Sequence, residues 1–434
     1  MSTSNAKTNF IKFYEMLAQV QFAQRPGTVF IPLLLLACII CPDLQFDAKI
    51  FAQSTSNDKT FKKDFGKSLK KYGLPNDTIK AQDKDTPADE ETIRVKTNLV
   101  TSDILVVNKK GNVVLGLKKN DFVITENGKT QNVEVFSSAE DQIIPRSIIL
   151  VIDYSTSLFP FIKNSVQAAK VLIDKLGSQD RMAIVTDDVK LLVDFTNDKT
   201  LLKNKLDSLE TKTLLRHGGE SKQFSALLAA LNELVVKTDI HPIIIFQTDG
   251  DELALLKQDS DAIPLSKTTR DSAIRYGGER RFGFSDLKES IKKTRVTIYS
   301  IIPGLRFIGL PIDEQLTRAN AILTNLIGNM QPSKDKNFIA NEASRYQSVE
   351  VETRVATQSA LFEVAKLSGG YADFIEKPED VENVYSTMFT VINNRYVIGY
   401  YPADQAQTQK EHHFKIEVRG HPEYLIVGRE SYVY

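Results

Sequence analysis

Apolar residues along this chain change their spacing twice. From residue 93 they fall in short β-type runs: 100–107, then 113–115 after a Lys109-Lys110-Gly111-Asn112 turn, then 121–126, and 132–136 after Asn127-Gly128-Lys129. Asn-Gly between such runs marks a hairpin, because both turn residues must accept positive φ. The pattern predicts a small antiparallel, β-sandwich-like domain over 93–142.

Strands and helices then alternate. Residues 147–152 (SIILVI) are almost continuously apolar, as a strand buried on both faces requires. Ile162, Val166, Ala169, Ile173 and Leu176 follow at helical spacing and stop at Gly177. Runs 182–185 and 191–195 predict strands, 224–236 a helix, 241–246 a second buried strand and 296–302 a third. A helix over 357–367 ends at Gly369-Gly370, a short strand covers 371–375, and 378–393 is helical again. This alternation predicts a doubly wound, mostly parallel α/β sheet covered by helices, with right-handed crossovers. It spans 143–394, and the long polar stretches at about 253–294 and 304–355 read as loop insertions. The tail, 395–434, returns to strands (YVIGYYP, FKIEV, YLIV) as a C-terminal β extension.

The first 92 residues follow neither pattern. Residues 28–41 (TVFIPLLLLACIIC) are apolar but shorter than the roughly 20 residues of a membrane span, and fit the core of a secretory signal. Arg25 precedes them, and Ala52 is a tolerable cleavage residue. Segment 1–52 is therefore read as a signal peptide or an uncleaved N-terminal membrane anchor, with Met16 giving the more usual length, and the mature chain is expected outside the cytoplasm. Lipid attachment at Cys38 fits less well, because Ile39-Ile40-Cys41 continues the apolar run. Cys38 and Cys41 are the chain's 2 cysteines, so removal of the leader leaves none, and stability must come from the core. Residues 53–92 are too polar to bury much surface and predict a flexible linker. Gly66-Lys67-Ser68 resembles the end of a phosphate-binding loop, but the glycine required five positions earlier is Phe61.

Composition narrows the function class. With 434 residues, 42% hydrophobic and 25% charged, the chain has room for a large core. Its 55 Lys and Arg cancel 55 Asp and Glu with no long run of one sign, so the positive field that nucleic-acid binding requires is missing.

One constellation carries chemistry. Strand 147–152 runs straight into Asp153-Tyr154-Ser155-Thr156-Ser157, which places a carboxylate and two hydroxyls at alternate positions, on one side of an extended turn. The second buried strand ends in Gln247-Thr248-Asp249-Gly250 and delivers another carboxylate to the same sheet edge, where open α/β sheets bind ligands. Oxygen donors suit a hard cation, Mg²⁺ or else Mn²⁺ or Ca²⁺. Neutral hydroxyls leave such an ion electron-poor and attractive to a partner's Asp or Glu.

Asp-x-Ser-x-Ser after the first strand and Asp-Gly after a later one resemble the metal-ion-dependent adhesion site of von Willebrand factor A domains. The family's threonine, usually within Gly-Gly-Thr-Ala-Leu-Tyr-Asp-Ala, corresponds here to Ser221 in a stretch beginning Gly218-Gly219-Glu220. The β segment with Leu115-Gly116-Leu117 and Glu126-Asn127-Gly128, and the tail from Tyr396 to Gly428-Arg429-Glu430-Ser431-Tyr432, extend the likeness to the exported A-domain-related proteins first noticed in Acidobacteria. The resemblance implies a metal site of Asp153, Ser155, Ser157, Ser221 and Asp249, the last acting through water, and an adhesion-type protein partner.

Other readings stand beside this one. Asp153 and its serines could simply cap the next helix, and Asp251 and Glu252 could add ligands. A Ser155, His217, Asp249 triad lacks a Gly-x-Ser-x-Gly elbow, so no catalytic residue, small-molecule substrate or enzymatic activity is expected. The alternatives of another class are an envelope structural or assembly module with a vestigial metal site, and a cytoplasmic chaperone-like partner of an AAA-type ATPase, which the leader opposes.

Overall fold

A computed structural model describes residues 65–72, 99–138, 145–213, 221–238, 241–332, 334–402 and 411–433. The leader, including Cys38 and Cys41, lies outside them, as do His217 and Gly218-Gly219-Glu220. Among the described residues no helix is long and apolar enough to cross a membrane.

The first strands are β1 (Val100–Val107), β2 (Phe122–Glu126), β3 (Lys129–Gln131) and β4 (Val135–Ser137). Asn127 and Gly128 take φ of 48° and 82°, which lets the β2–β3 hairpin close in two residues.

The strands of the central sheet are β5 (Arg146–Ile152), β6 (Arg181–Thr186), β7 (Lys190–Thr196), β8 (His241–Gln247), β9 (Thr297–Pro303) and β10 (Ala372–Ile375). They lie in the order β10-β9-β8-β5-β6-β7, parallel except for the edge pair β6–β7. The chain moves outward from β5 in one direction and returns to β8 to move outward in the other. With right-handed crossovers this reversal puts helices on both faces. The helices are α1 (Phe159–Asp174), α2 (Lys199–Thr213), α3 (Gln223–Glu233), α4 (Lys267–Gly277), α5 (Phe284–Lys293), α6 (Ile312–Met330), α7 (Lys336–Leu367) and α8 (Val381–Asn393). Helix α1 packs beside α2 and α8, while α5 packs beside α3 and α7. This is the doubly wound, mostly parallel α/β architecture that the alternation of strands and helices predicts.

The polar stretches expected to be loops are largely helical. In α5, Phe284, Leu287 and Ile291 share one buried stripe and join the main core. Helices α6 and α7 form a hairpin in which Ala319, Leu323 and Ile327 are the buried residues of the first. The hairpin reads as polar because only a narrow stripe of α6, and of α7 before about residue 356, is covered. The helix expected over 357–367 accordingly starts a long way earlier, at Lys336.

The expected linker, 53–92, is also not uniform. Within it, Lys67–Tyr72 form a 3₁₀ turn, with Leu69 buried in the α/β core. The carboxylate of Glu233 at the end of α3 accepts from the Gly66 and Ser68 backbone N–H groups at 2.9 and 2.7 Å and from the Ser68 hydroxyl at 2.5 Å. The Gly66-Lys67-Ser68 turn does hold an anion, and it is the protein's own.

The tail supplies β11 (Tyr396–Tyr400), β12 (Glu411–Val418), β13 (Leu425–Val427) and β14 (Ser431–Val433). These strands interleave with the first four in two sheets of order β13-β1-β11-β4 and β14-β12-β2-β3. Segments at opposite ends of the described chain thus close over one core that includes Ile104, Phe122, Tyr396 and Phe414. Two buried arginines stitch this β module to the α/β sheet. Arg395 donates to the Tyr299 hydroxyl at 3.1 Å and to the carbonyls of Asp103 at 2.7 Å, Gly369 at 2.5 Å and Val427 at 3.0 Å. Arg429 donates to the carbonyls of Ile291, Thr294 and Val296.

Candidate metal centre

Register brings the two carboxylate-bearing loops together. Ile152 at the end of β5 pairs with Gln247 at the end of β8, and the Asp153 N–H continues the ladder to the Gln247 carbonyl at 3.0 Å. Asp153 and Asp249 therefore leave the sheet at the point where strand order reverses. Gly250 then turns the chain with φ of 76°, where an added Cβ would stand 3.3 Å from Leu361 and 3.6 Å from Thr357. Both conformation and space call for glycine there.

A chain of hydrogen bonds joins the loops. One Asp153 oxygen accepts from the Ser155 backbone N–H at 2.9 Å, and the other from the Thr248 hydroxyl at 2.8 Å and the Gln223 side-chain amide at 3.0 Å. The Ser155 and Ser157 hydroxyls are 3.0 Å apart, and Ser157 donates to Asp249 at 2.8 Å. The same Gln223 amide group lies 3.5 Å from the other Asp249 oxygen. Asp153, Ser155 and Asp249 are buried whereas Ser157 is exposed, so the cluster meets solvent on one side.

Burial, and then the charge of Asp249, pushes the Asp153 carboxyl up to about 6. Burial, and then the charge of Asp251, pushes Asp249 up to about 7. Burial is the larger cause of both shifts, and a neighbouring carboxylate adds to each. Two carboxylates and two hydroxyls, brought to one sheet edge by two loops, form an oxygen-donor set that fits a hard divalent cation. No group of three or more His, Cys, Asp or Glu suited to a metal exists among the described residues, so an ion held here must draw on the serines.

Ser221 is placed differently from its neighbours. Its hydroxyl donates to Asp187 at 2.7 Å, and the other Asp187 oxygen accepts from the Tyr154 backbone N–H at 3.2 Å. Ser221 thus braces the Asp153 loop through Asp187. Glu252 is also turned away: it accepts from the Ser225 N–H and hydroxyl at 2.9 and 2.6 Å and from Arg280 at 2.6 Å.

Sequence reasoning missed two residues, Gln223 and Arg354. Gln223 opens a helix whose next residues, 224–231, are all buried, so a polar side chain at its head has nowhere to go but the site. Arg354, on α7, pairs with Glu350 at 2.8 Å and lines a cavity of about 370 Å³ together with Ser157, Asp249, Leu158, Phe161, Phe307 and Ile322. Nothing in the polar hairpin sequence announces that it roofs the site.

The sequence matches no family model and no curated protein. In fold the chain is similar to the conserved hypothetical protein BatB from Bacteroides thetaiotaomicron, at 10% identity over 58% of this chain and 100% of that one, with a TM-score of 0.31. It is similar too to the vWF domain of the type V pili tip protein Mfa5 from Porphyromonas gingivalis, at 14% identity over 58% and 95% of the two chains, with a TM-score of 0.30. A third is proximal thread matrix protein 1 from the mussel byssus with a zinc-occupied MIDAS motif, at 12% identity over 58% of this chain and 48% of that one, with a TM-score of 0.32.

Proposed function

We propose that this chain is an exported protein-binding module, not an enzyme, whose partner offers an Asp or Glu side chain to a divalent cation held at Asp153, Ser155, Ser157 and Asp249. The observation that carries the reading is the hydrogen-bonded chain of those four residues at the switch in strand order, with Ser157 open to solvent. When bound, the cation supplies a seat for a carboxylate, with Mg²⁺, Mn²⁺ and Ca²⁺ all compatible with oxygen donors.

The chain's own residues shape what can approach. Thr248 and the Ser155 N–H fix the Asp153 carboxylate, and Ser157 presents its hydroxyl at the rim. The adjoining cavity has an apolar wall of Leu158, Phe161, Phe307 and Ile322, with Arg354 at one side. This surface suits an acidic residue followed by a bulky apolar one.

One observation favours the second reading, an envelope structural module with a vestigial site: the Gln223 amide already sits against both carboxylates. Capture of envelope partners by the full chain separates the two. The cation-dependent reading expects partners that are lost with EDTA, restored by Mn²⁺, and absent with Asp153→Ala. Partners retained equally in EDTA and by Asp153→Ala would establish the structural reading instead.

A further inference from the structure

We propose that Gln223 is a built-in stand-in for the cation, whose amide must be displaced from Asp153 and Asp249 before an ion can bind. The inference deepens the cation-dependent reading and rests on it.

The orientation of the amide carries the argument. Its Nε2 donates to Asp153 Oδ2 at 3.0 Å and lies 3.5 Å from Asp249 Oδ1, while its Oε1 accepts from the Glu252 backbone N–H at 3.0 Å. A flipped amide would point its NH₂ group at that backbone N–H, donor against donor, and would turn a carbonyl oxygen toward two carboxylates. The Glu252 backbone is itself anchored, because the Glu252 carboxylate is held by Ser225 and by the buried Arg280. Gln223 is therefore locked as a donor. It offers partial positive charge where a metal would offer two full charges, and it cannot act as a ligand without breaking its bond to Glu252.

Two consequences follow. Without cation the buried carboxylates keep hydrogen-bond partners, so the site stays assembled. With cation the ion must overcome hydrogen bonds to charged groups, which are among the stronger ones, and its affinity falls accordingly. Gln223 is a positioning residue in this account, setting the cation threshold of the site.

The test compares the full wild-type chain with Gln223→Met and Gln223→Glu, by calorimetric titration with Mn²⁺ alone and by thermal unfolding in EDTA. Gln223→Met, similar in length but without a donor, should bind Mn²⁺ about tenfold more tightly and unfold a few degrees lower in EDTA. Gln223→Glu keeps the acceptor for Glu252 and adds a third carboxylate, so it should bind tighter still and lose more stability in EDTA. A wild type that binds nothing beside a Gln223→Met that binds would also support the stand-in while counting against cation use by the natural chain. If the wild type binds and Gln223→Met binds equally or more weakly, the stand-in is overturned and the cation reading survives. Binding by none of the three overturns both. Should Gln223→Met fold in neither buffer, Gln223→Glu decides: affinity and EDTA stability equal to wild type would overturn the proposal.

Discussion

Asp153 and Asp249 are held in the folded protein above the ordinary carboxylate value of 3.8, at about 6 and about 7, because both are buried and each faces another carboxylate. The sign of the pH effect follows directly. A folded-state value above the unfolded one means the folded chain holds the protons more tightly, so this contribution to stability is present below about pH 4 and is lost as pH rises through about 6 to 7. In EDTA, thermal unfolding of the wild type should therefore lose ground to Asp249→Asn between about pH 4 and about pH 7. With Mn²⁺ the trend should reverse, since the ion takes the place of the protons. Parallel curves for the two proteins in EDTA would contradict the shared burial of the pair. The residues themselves were legible because Asp153, with hydroxyls at the alternate positions that follow, and Asp249 each lie just beyond an almost continuously apolar strand. Gln223 was not, since a glutamine at a helix start ordinarily faces water; only the buried run behind it, 224–231, marks it as different.

At the scale of elements, strand and helix alternation was readable wherever the core demanded it, and unreadable where a helix covers little. Helix α5 looks like a loop in sequence because its buried stripe, Phe284, Leu287 and Ile291, is outnumbered by charged residues, and α6 because its buried stripe is only Ala319, Leu323 and Ile327 in a helix of 19 residues. The 65–72 segment was missed for another reason: its anchor lies at the end of α3, where Glu233 caps two backbone N–H groups that the local sequence leaves open. Glu233→Ala should release it. Amide hydrogen exchange at Gly66 and Ser68 should then speed up by at least tenfold, as expected for losing a charged hydrogen-bond acceptor, while the central strands keep their protection. Unchanged exchange at those two amides would show that Leu69 and its apolar neighbours hold the turn without Glu233.

On the scale of the whole molecule, the α/β sheet is inserted between the halves of a β module. Strand β1 pairs with β11 and β13, and β2 pairs with β12 as well as with β3, so β1 finds its strand partners, and β2 its second one, only after the α/β domain has been completed. Alternation along β2 and β12 told which residues face a core, but a period of two says nothing about which strand is the neighbour. Arg395 and Arg429, which would read as surface charges, are the buried links between the two parts. The module is thereby tied to the sheet through these arginines, and the carboxyl edge, with Ser157 and the α6–α7 roof, is the face that the proposed function assigns to a partner. The most direct test of this arrangement is calorimetric titration of the full chain with Mn²⁺, alongside Asp153→Ala. The wild type should show a saturable binding event and Asp153→Ala none; absence of binding by the wild type, or equal binding by both, would contradict the account.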